Sequence, residues 1–297
     1  MPTDSANTAM RAGLKVTWVG LCVNLLLVVA KLIVGVIATS QALIADGVHS
    51  LSDLISDIVV IVGLKWGRAE ADANHPFGHG RIETVAGLAV GVLLIAAAVW
   101  IGYSAIVSFA EEHVVSSPLD AVIVAAGSIL LKEALYHYTV AVGRHIHSQA
   151  VVGNAWHHRT DAFSSVVVLI GLIVGWVIPS WYWADGVAAI IVALLVAKVG
   201  VDIAWQGLKE VVDTAPSNEI VAKIIHLTES IDGVYDAHDI KARYSGASLL
   251  AEIHIVVHPD QSVRDGHSIA KQVEATLLEN IDRLDSVIIH VDPATLE

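Results

Sequence analysis

The sequence predicts a membrane protein in two parts: an all-α, six-helix transmembrane domain (residues 1–207) and a cytoplasmic α+β domain (residues 208–297). Two observations support this. The 297-residue chain is 55% hydrophobic and only 16% charged, with a mean hydropathy of +0.66, which is typical of membrane proteins. From about residue 208 the composition becomes that of a small soluble domain. The chain has too little polar sequence to cover so many apolar helices inside a soluble fold.

Six apolar segments are long enough to cross a bilayer as helices. The connections near residues 39–41, 110–118 and 179–181 contain no Lys or Arg, whereas the opposite set of loops does. By the positive-inside rule both termini are cytoplasmic, which agrees with six spans. We therefore expect an integral, multi-pass protein of the cell membrane, which is the inner membrane in a bacterium. The segments run approximately over 14–38, 42–66, 83–109, 119–143, 151–178 and 182–206.

The tail predicts elements in the order αββαβ. Apolar residues recur at helical spacing over 217–230, and 234–244 and 249–257 are typical of two strands joined by a short turn. A second helix over 262–282 and a third strand over 286–291 follow. This order predicts a small metallochaperone- or ferredoxin-like fold with helices on one face of a sheet. Such a small domain has a limited core, so we expect it to dimerise.

The charge and cysteine content restrict the chemistry. The net charge is −13, and the tail alone, with 7 Lys and Arg against 16 Asp and Glu, contributes −9. An acidic tail argues against a nucleic-acid partner and is compatible with cations. The single cysteine, Cys22, excludes an intramolecular disulfide and a thiolate cluster. A metal site must therefore use His, Asp, Glu or backbone oxygen, and the chain has 15 histidines.

Two His-x-x-x-Asp strings lie inside apolar segments: His49 with Asp53, and His157 with Asp161. Residues four apart share one face of a helix. Two such helices facing each other would bring two imidazoles and two carboxylates to one point, a ligand set that Zn²⁺ accepts. The alternative is that these side chains hydrogen-bond between helices. The repeat favours a metal site, because buried carboxylates need cations.

A second group, Asp72, His75 and His79, lies in the predicted cytoplasmic loop between the second and third spans. Proline and glycine residues among them predict a bent loop, in which the three side chains could converge on a metal ion. Local spacing favours the other interpretation, a tight loop whose histidines cap the next helix or bond to the backbone.

A third group lies in the tail. Strand alternation places His290 and Asp292 on one face of the third strand. The alternative is a set of unrelated surface histidines. The further candidates are His238 in the first strand, His254 in the second and His267 on the second helix.

Four strings together, at residues 45–53, 75–81, 157–161 and 287–293, resemble the cation diffusion facilitator family, in particular its bacterial zinc exporters. That family consists of homodimeric metal/proton antiporters, which are not enzymes. The resemblance implies a homodimer in a lipid bilayer that exports divalent metal ions, with Zn²⁺ as transported and regulatory ion and protons as counter-ion.

The resemblance also implies roles for individual residues. The transport site between the second and fifth spans corresponds to His49, Asp53, His157 and Asp161. The loop site corresponds to Asp72, His75 and His79. The binuclear site at the cytoplasmic dimer interface corresponds to His238, His254, His267, His290 and Asp292. An ion pair between the domains corresponds to Arg81 and Asp213.

Two positions depart from the bacterial pattern. His49 stands where several bacterial exporters have Asp, and with Asp46 and Asp53 it forms the Asp-x-x-His-x-x-x-Asp pattern of the zinc-selective, eukaryotic type. Val291 stands where some relatives have Gln, which would leave one position of the tail site to water.

The predicted transport site suggests exchange chemistry. Zn²⁺ with Asp53 and Asp161 gives a neutral complex, and without the metal two close carboxylates favour protonation. Imidazole favours Zn²⁺ over Mn²⁺, Mg²⁺ or Ca²⁺. Two alternatives remain at this stage: a non-transporting membrane zinc sensor and an intramembrane metallohydrolase. The sequence contains no His-Glu-x-x-His string that would favour the hydrolase.

Overall fold

The computed structural model describes residues 4–66, 72–110, 114–145, 149–246 and 248–295. Its contacts divide the chain into two compact units, Met1–Ile58 with Val90–Asp202, and Val59–Ala89 with Ile203–Glu297. Six long helices come first, in the order predicted. They are α1 (Asp4–Ile37), α2 (Gln41–Trp66), α3 (Gly80–Ala110), α4 (Pro118–His145), α5 (Gln149–Val177) and α6 (Ala184–Val211).

Within the described part of the chain, four helical stretches are long and apolar enough to cross a membrane: Lys15–Ile37, Gly80–Phe109, Asn154–Val177 and Pro179–Val211, the last including a short 3₁₀ helix before α6. The other two long helices, α2 and α4, carry ionisable side chains in their interior. Asp46 of α2 and Lys132 of α4 are both buried. Buried charges of this kind usually face the interior of a helix bundle and belong to ion pathways.

Small residues allow the helices of the first unit to pack closely. Ala38 and Ala121 are fully buried. A Cβ placed on Gly171 of α5 would lie 2.6 Å from the Cβ of Ala188 in α6, closer than two carbon atoms can approach. Gly171 is therefore required where α5 meets α6, as is common for helices packed in a membrane.

The N-terminus of α2 is held by a carboxylate from α6. Asp185 accepts hydrogen bonds from the Ser40 hydroxyl (2.5 Å) and from the backbone N–H groups of Gln41 (2.7 Å) and Ala42 (3.3 Å). The first N–H groups of a helix have no partner within the helix, and a negative charge near them is also stabilised by the positive end of the helix dipole. Asp185 therefore fixes the start of the helix that carries His49 and Asp53.

The tail has the predicted αββαβ order, so the α+β fold class is confirmed. Its elements are α7 (Asn218–Glu229), β1 (Asp236–Ser245), β2 (Ser248–Val257), α8 (Val263–Asn280) and β3 (Leu284–Pro293). The sheet order is β1-β2-β3, with β1 antiparallel and β3 parallel to β2. Ile224 of α7, Ile253 and Ile255 of β2, and Val273 and Leu277 of α8 form a fully buried core.

The turn between β1 and β2 packs directly on the start of α3, within the second unit. A Cβ on Gly80 would lie 2.5 Å from the carbonyl oxygen of Ser245, and a Cβ on Gly246 would lie 2.6 Å from the carbonyl oxygen of Gly80. Gly246 also has a positive φ of 57°, which glycine adopts without strain. Two glycines are therefore needed for this backbone contact.

Candidate metal centres

The first candidate centre lies between α2 and α5 in the first unit. His49, Asp53 and Asp161 each offer a ligand atom, and these atoms lie within 4.8 Å of one another. This spacing matches ligands that surround one metal ion at about 2 Å each. The side chain of His157, the fourth predicted ligand, lies outside the described residues, as does that of Asp57 on the same polar stripe of α2. The structure thus brings together the three predicted ligands that it describes.

His49 has a nitrogen suited to a metal ion. The residue is buried, and its Nδ1 has no hydrogen-bond partner among the described residues. A buried polar atom normally has a partner, because desolvation without one costs about 1–3 kcal/mol. A metal ion at this point would satisfy the nitrogen.

His158, next to the predicted ligand His157, is directed elsewhere. It is buried, and its Nε2 lies 3.3 Å from Nδ2 of Asn154 and close to Gly20 of α1. A side chain at Gly20 would meet the imidazole ring at 3.2 Å. His158 therefore packs between α5 and α1.

A lysine from α4 reaches the same carboxylate that the metal would use. Nζ of Lys132 lies 3.4 Å from Oδ2 of Asp161, and both side chains are almost fully buried. The charge count made from the sequence omitted this ammonium group, which no local pattern connects with α5. With Lys132 charged, a dication bound by Asp53 and Asp161 would leave one positive charge in excess, whereas the charge count from the ligands alone is neutral.

A second buried lysine contacts α2 at Asp46, about one helical turn before His49. Lys31 of α1 pairs with Asp46 at 2.8 Å and donates hydrogen bonds to the hydroxyls of Ser50 and Ser165, each at 3.0 Å. Asp46 also accepts hydrogen bonds from Ser164 (2.6 Å) and Ser165 (2.7 Å). This network joins α1, α2 and α5, and in sequence Asp46 and Ser164 are each three residues from a candidate ligand.

The second candidate centre is the loop before α3. Nδ1 of His75 lies 3.2 Å from Oδ1 of Asp72, Nε2 of His79 lies 3.4 Å from Oδ2, and the two rings are 4.3 Å apart. Asp72 also accepts hydrogen bonds from the backbone N–H groups of His75 and Asn74, and these bonds hold its pKa below the ordinary value. The carboxylate, rather than a histidine, therefore bonds to the loop backbone, and all three groups converge.

The third candidate centre lies on the sheet. The strand register places His238, His254 and His290 opposite one another in a single row across β1, β2 and β3. The carboxylate of Asp292 contacts all three histidines. It lies 3.0 Å from Nδ1 of His254, 3.2 Å from Nε2 of His290 and 3.6 Å from Nε2 of His238. Four of the five predicted tail residues therefore form one cluster.

Asp239 was missed by the sequence analysis and joins His238 and His254 as a possible ligand. Regular alternation along a strand would place Asp239 on the face opposite to its neighbour His238. The register of β1 shifts between His238 and Lys241, and Asp239 has a positive φ of 49°. This bulge turns its carboxylate toward the histidines, and nothing in the sequence marks the bulge. The fifth predicted residue, His267, is exposed on α8 and belongs to none of the ligand groups among the described residues.

The predicted partners Arg81 and Asp213 are in contact, and a second arginine joins them. Asp213 pairs with Arg81, and its other oxygen accepts a hydrogen bond from Arg243 of β1 at 2.9 Å. Desolvation raises the pKa of Asp213, but the hydrogen bond from Arg81 and the two positive charges outweigh it, so the pKa lies below the ordinary value. Arg243 lies 30 residues further along the chain, and no spacing rule identifies it.

The fold and the sites define a helical membrane protein with candidate sites for divalent cations: a helical domain with buried carboxylates and imidazole, followed by a small α+β domain with a histidine cluster. Two family models match the chain, the cation efflux transmembrane domain over residues 17–212 and the cytoplasmic domain of cation efflux proteins over residues 216–294. The chain belongs to the cation efflux family, the cation diffusion facilitators. It is therefore a divalent-metal-cation transporter and not an enzyme.

Relatives from distant organisms match nearly the whole chain. The uncharacterized transporter MJ0449 of Methanocaldococcus jannaschii is 36% identical over 269 residues, which cover 91% of this chain and 94% of the relative. The magnetosome protein MamB of Magnetospira sp. is 30% identical and covers 95% and 96%. The manganese efflux system protein MneP of Bacillus subtilis is 28% identical and covers 94% and 95%.

Proposed function

We propose that this protein exports Zn²⁺ in exchange for protons, through a site formed by His49, Asp53, His157 and Asp161. The observation that carries the proposal is the convergence of His49, Asp53 and Asp161, whose ligand atoms lie within 4.8 Å of one another in the interior. Two imidazoles and two carboxylates form a tetrahedral set that suits Zn²⁺.

Protons are the proposed counter-ion because of the chemistry of the ligands. Each ligand must lose its proton to bind a metal, so metal binding releases protons and proton binding releases metal. Two carboxylates held close together in a site of low polarity favour protonation once the metal leaves. Metal binding and proton binding therefore exclude each other, and this mutual exclusion is what exchange of the two ions requires.

Manganese is the second candidate substrate. A relative of similar length is named as a manganese efflux protein. Mn²⁺ prefers oxygen ligands, and Asp53 and Asp161 supply them. His49 favours Zn²⁺ because imidazole suits Zn²⁺ better than Mn²⁺. Measuring both metals side by side decides between the two substrates.

The tail has a proposed regulatory role. Metal bound by the proposed tail ligands, with contributions from both subunits of a homodimer, would hold two tails together. These ligands are His238, His254, His267, His290 and Asp292. Such binding would favour one arrangement of the dimer over another. The proposed orientation, with both termini cytoplasmic, places this cluster and the Asp72 loop site in the compartment from which metal is removed.

The test is metal flux in proteoliposomes that contain the purified full-length protein. We expect Zn²⁺ uptake into the vesicles to follow an imposed pH gradient, acidic inside, and to cease when the gradient is collapsed by an ionophore. Equal Zn²⁺ flux with and without the gradient would contradict proton exchange. Zinc binding without any flux would favour the sensor hypothesis, and faster flux of Mn²⁺ than of Zn²⁺ would favour manganese as the substrate.

A further inference from the structure

We propose that Lys132 is a built-in competitor of the transported metal ion: its ammonium group binds Asp161, must leave that carboxylate when a divalent cation binds, and promotes release of the cation when it returns. This inference rests on the proposed function of Asp161 as a ligand. It assigns a role to a residue outside the ligand set and explains how a site with strong ligands can release its ion.

The geometry places the lysine at the ligand itself. Lys132 lies in α4 with about 1% of its surface exposed, and its Nζ is 3.4 Å from Oδ2 of Asp161. Asp161 in turn contributes a ligand atom to the cluster with His49 and Asp53. The ammonium and a bound metal ion would therefore share one carboxylate.

Electrostatics makes this sharing unfavourable. Positive charges a few ångströms apart repel strongly in a poorly solvated interior, where water does not screen them. The lysine side chain has a flexible four-carbon stem and a compact charge, so it can withdraw from Asp161 without moving the helix. Each cation weakens the binding of the other by the same factor. Lys132 therefore lowers metal affinity and accelerates metal release.

The other buried lysine shows that burial alone does not create this competition. Lys31 has three oxygen partners, from Asp46, Ser50 and Ser165. None of these three belongs to the ligand cluster of His49, Asp53 and Asp161. Lys31 thus has its own acceptors, whereas Lys132 uses an acceptor that the metal also needs.

The experiment compares Lys132→Met, which keeps the length of the side chain and removes the charge, with Lys132→Arg, which keeps the charge. Lys198→Met is the matched control, because Lys198 pairs with Asp202 at 3.1 Å but is exposed on α6. Zinc affinity is measured by competition with a chromophoric chelator on the full-length protein. Binding that Asp53→Asn removes is assigned to the intramembrane site, which separates it from binding to the tail.

We expect Lys132→Met to bind Zn²⁺ at that site at least about tenfold more tightly, since one unscreened charge is removed from a low-dielectric site. Its KM and maximal flux should both fall, because release becomes slow. Lys132→Arg should keep its zinc affinity within about threefold of the wild type, because the charge is retained. Lys198→Met should leave the affinity unchanged, because Asp202, the partner of Lys198, lies outside the ligand cluster. If Lys132→Met does not fold, Lys132→Gln, which can still hydrogen-bond to Asp161, provides the same comparison.

Unchanged or weaker zinc binding in a folded Lys132→Met or Lys132→Gln protein would overturn the inference. That result would leave the proposed function intact if wild-type flux is still abolished by Asp53→Asn. If Asp53→Asn and Asp161→Asn both retain wild-type binding and flux, the transport site itself is wrong and the inference is overturned with it.

Discussion

Lys31 of α1 and Asp46 of α2 form an ion pair at 2.8 Å in which both side chains are completely buried. The pair is surrounded by hydroxyl groups: Ser164 and Ser165 of α5 donate to Asp46, and Lys31 donates to Ser50 and Ser165. A buried pair is stable only when its remaining hydrogen-bonding capacity is satisfied, and this one is. The network therefore fixes α2 against α5 one turn from the candidate metal ligands.

Replacement of Lys31 should destabilise the protein strongly. Lys31→Met leaves Asp46 charged and buried, at a cost of about 3–5 kcal/mol. We expect a lower melting temperature of the purified protein in detergent. The double variant Lys31→Met with Asp46→Asn should recover most of the loss, because the amide is neutral and still accepts from the serines. A single variant as stable as the wild type would show that the pair contributes nothing to the fold.

Loss of either carboxylate at the intramembrane site should abolish transport. Asp53→Ala removes a ligand and should leave a folded dimer with no measurable Zn²⁺ flux, since one negative charge that compensates the metal is lost from a site of low polarity. Asp161→Ala should also abolish flux, and it should lower the melting temperature more, because it leaves Lys132 buried without its carboxylate. Asp202→Asn, an exposed carboxylate on α6, is the control. Near-normal flux in either site variant would remove that residue from the site.

The imidazole of His49 should decide the choice of metal. His49→Asp replaces a nitrogen ligand with harder oxygen and should broaden transport toward Mn²⁺ or Cd²⁺ by about tenfold relative to Zn²⁺. Competition between metals in the flux assay measures this ratio. An unchanged ratio would mean that His49 does not set selectivity.

The tail should bind zinc independently of the helices. Residues 208–297 expressed alone should form a soluble dimer, and Zn²⁺ at 100 times its Kd should stabilise it by about 2.7 kcal/mol, seen as a higher melting temperature. His290→Ala and Asp239→Ala should reduce this shift. His258→Ala is the matched control, because His258 pairs with Asp260 outside the histidine row. A monomer whose melting ignores excess zinc would leave the histidines as ordinary surface residues.

The contact between Arg81 and Asp213 should matter for transport more than for stability. Asp213 has a positive φ of 56°, so Asp213→Asn tests the charge with a residue that tolerates this conformation. The pair is exposed, and we expect a stability loss of at most about 1 kcal/mol. Transport should slow and the membrane dimer should loosen, while zinc affinity at Asp53 and Asp161 stays unchanged. Wild-type flux in Asp213→Asn would show that the charge is dispensable.

The same carboxylate gives a pH dependence with a defined sign. The pKa of Asp213 is depressed in the folded protein. The contribution of the Asp213 charge to stability is therefore complete above the unfolded pKa of about 3.9. It is lost as the pH falls from that value through the lower pKa of the folded state. Melting curves of the wild type and Asp213→Asn should converge at low pH.

The exchange of Arg81→Asp with Asp213→Arg should not restore activity, because the new guanidinium would face Arg243, which now binds Asp213.

Sequence patterns identified the class of fold and most candidate ligands because both depend on local features. Hydropathy and helical spacing predict the six long helices, and strand alternation together with turn residues predicts the αββαβ order of elements in the tail. The His-x-x-x-Asp repeat indicated which polar residues share a helix face, and the structure brings His49, Asp53 and Asp161 together as expected. The resemblance supplied the pairing of Arg81 with Asp213, which local spacing alone could not.

Tertiary structure decided which charges meet across the chain. Lys132 reaches Asp161 from another helix, Lys31 reaches Asp46, and Arg243 joins Asp213, and none of these contacts has a periodic signature. Strand register, which no local pattern specifies here, placed three histidines in one row. The sequence by itself therefore determined the elements and the ligand types, whereas packing between helices and strands determined the charge balance of each site, because that balance depends on side chains from distant segments.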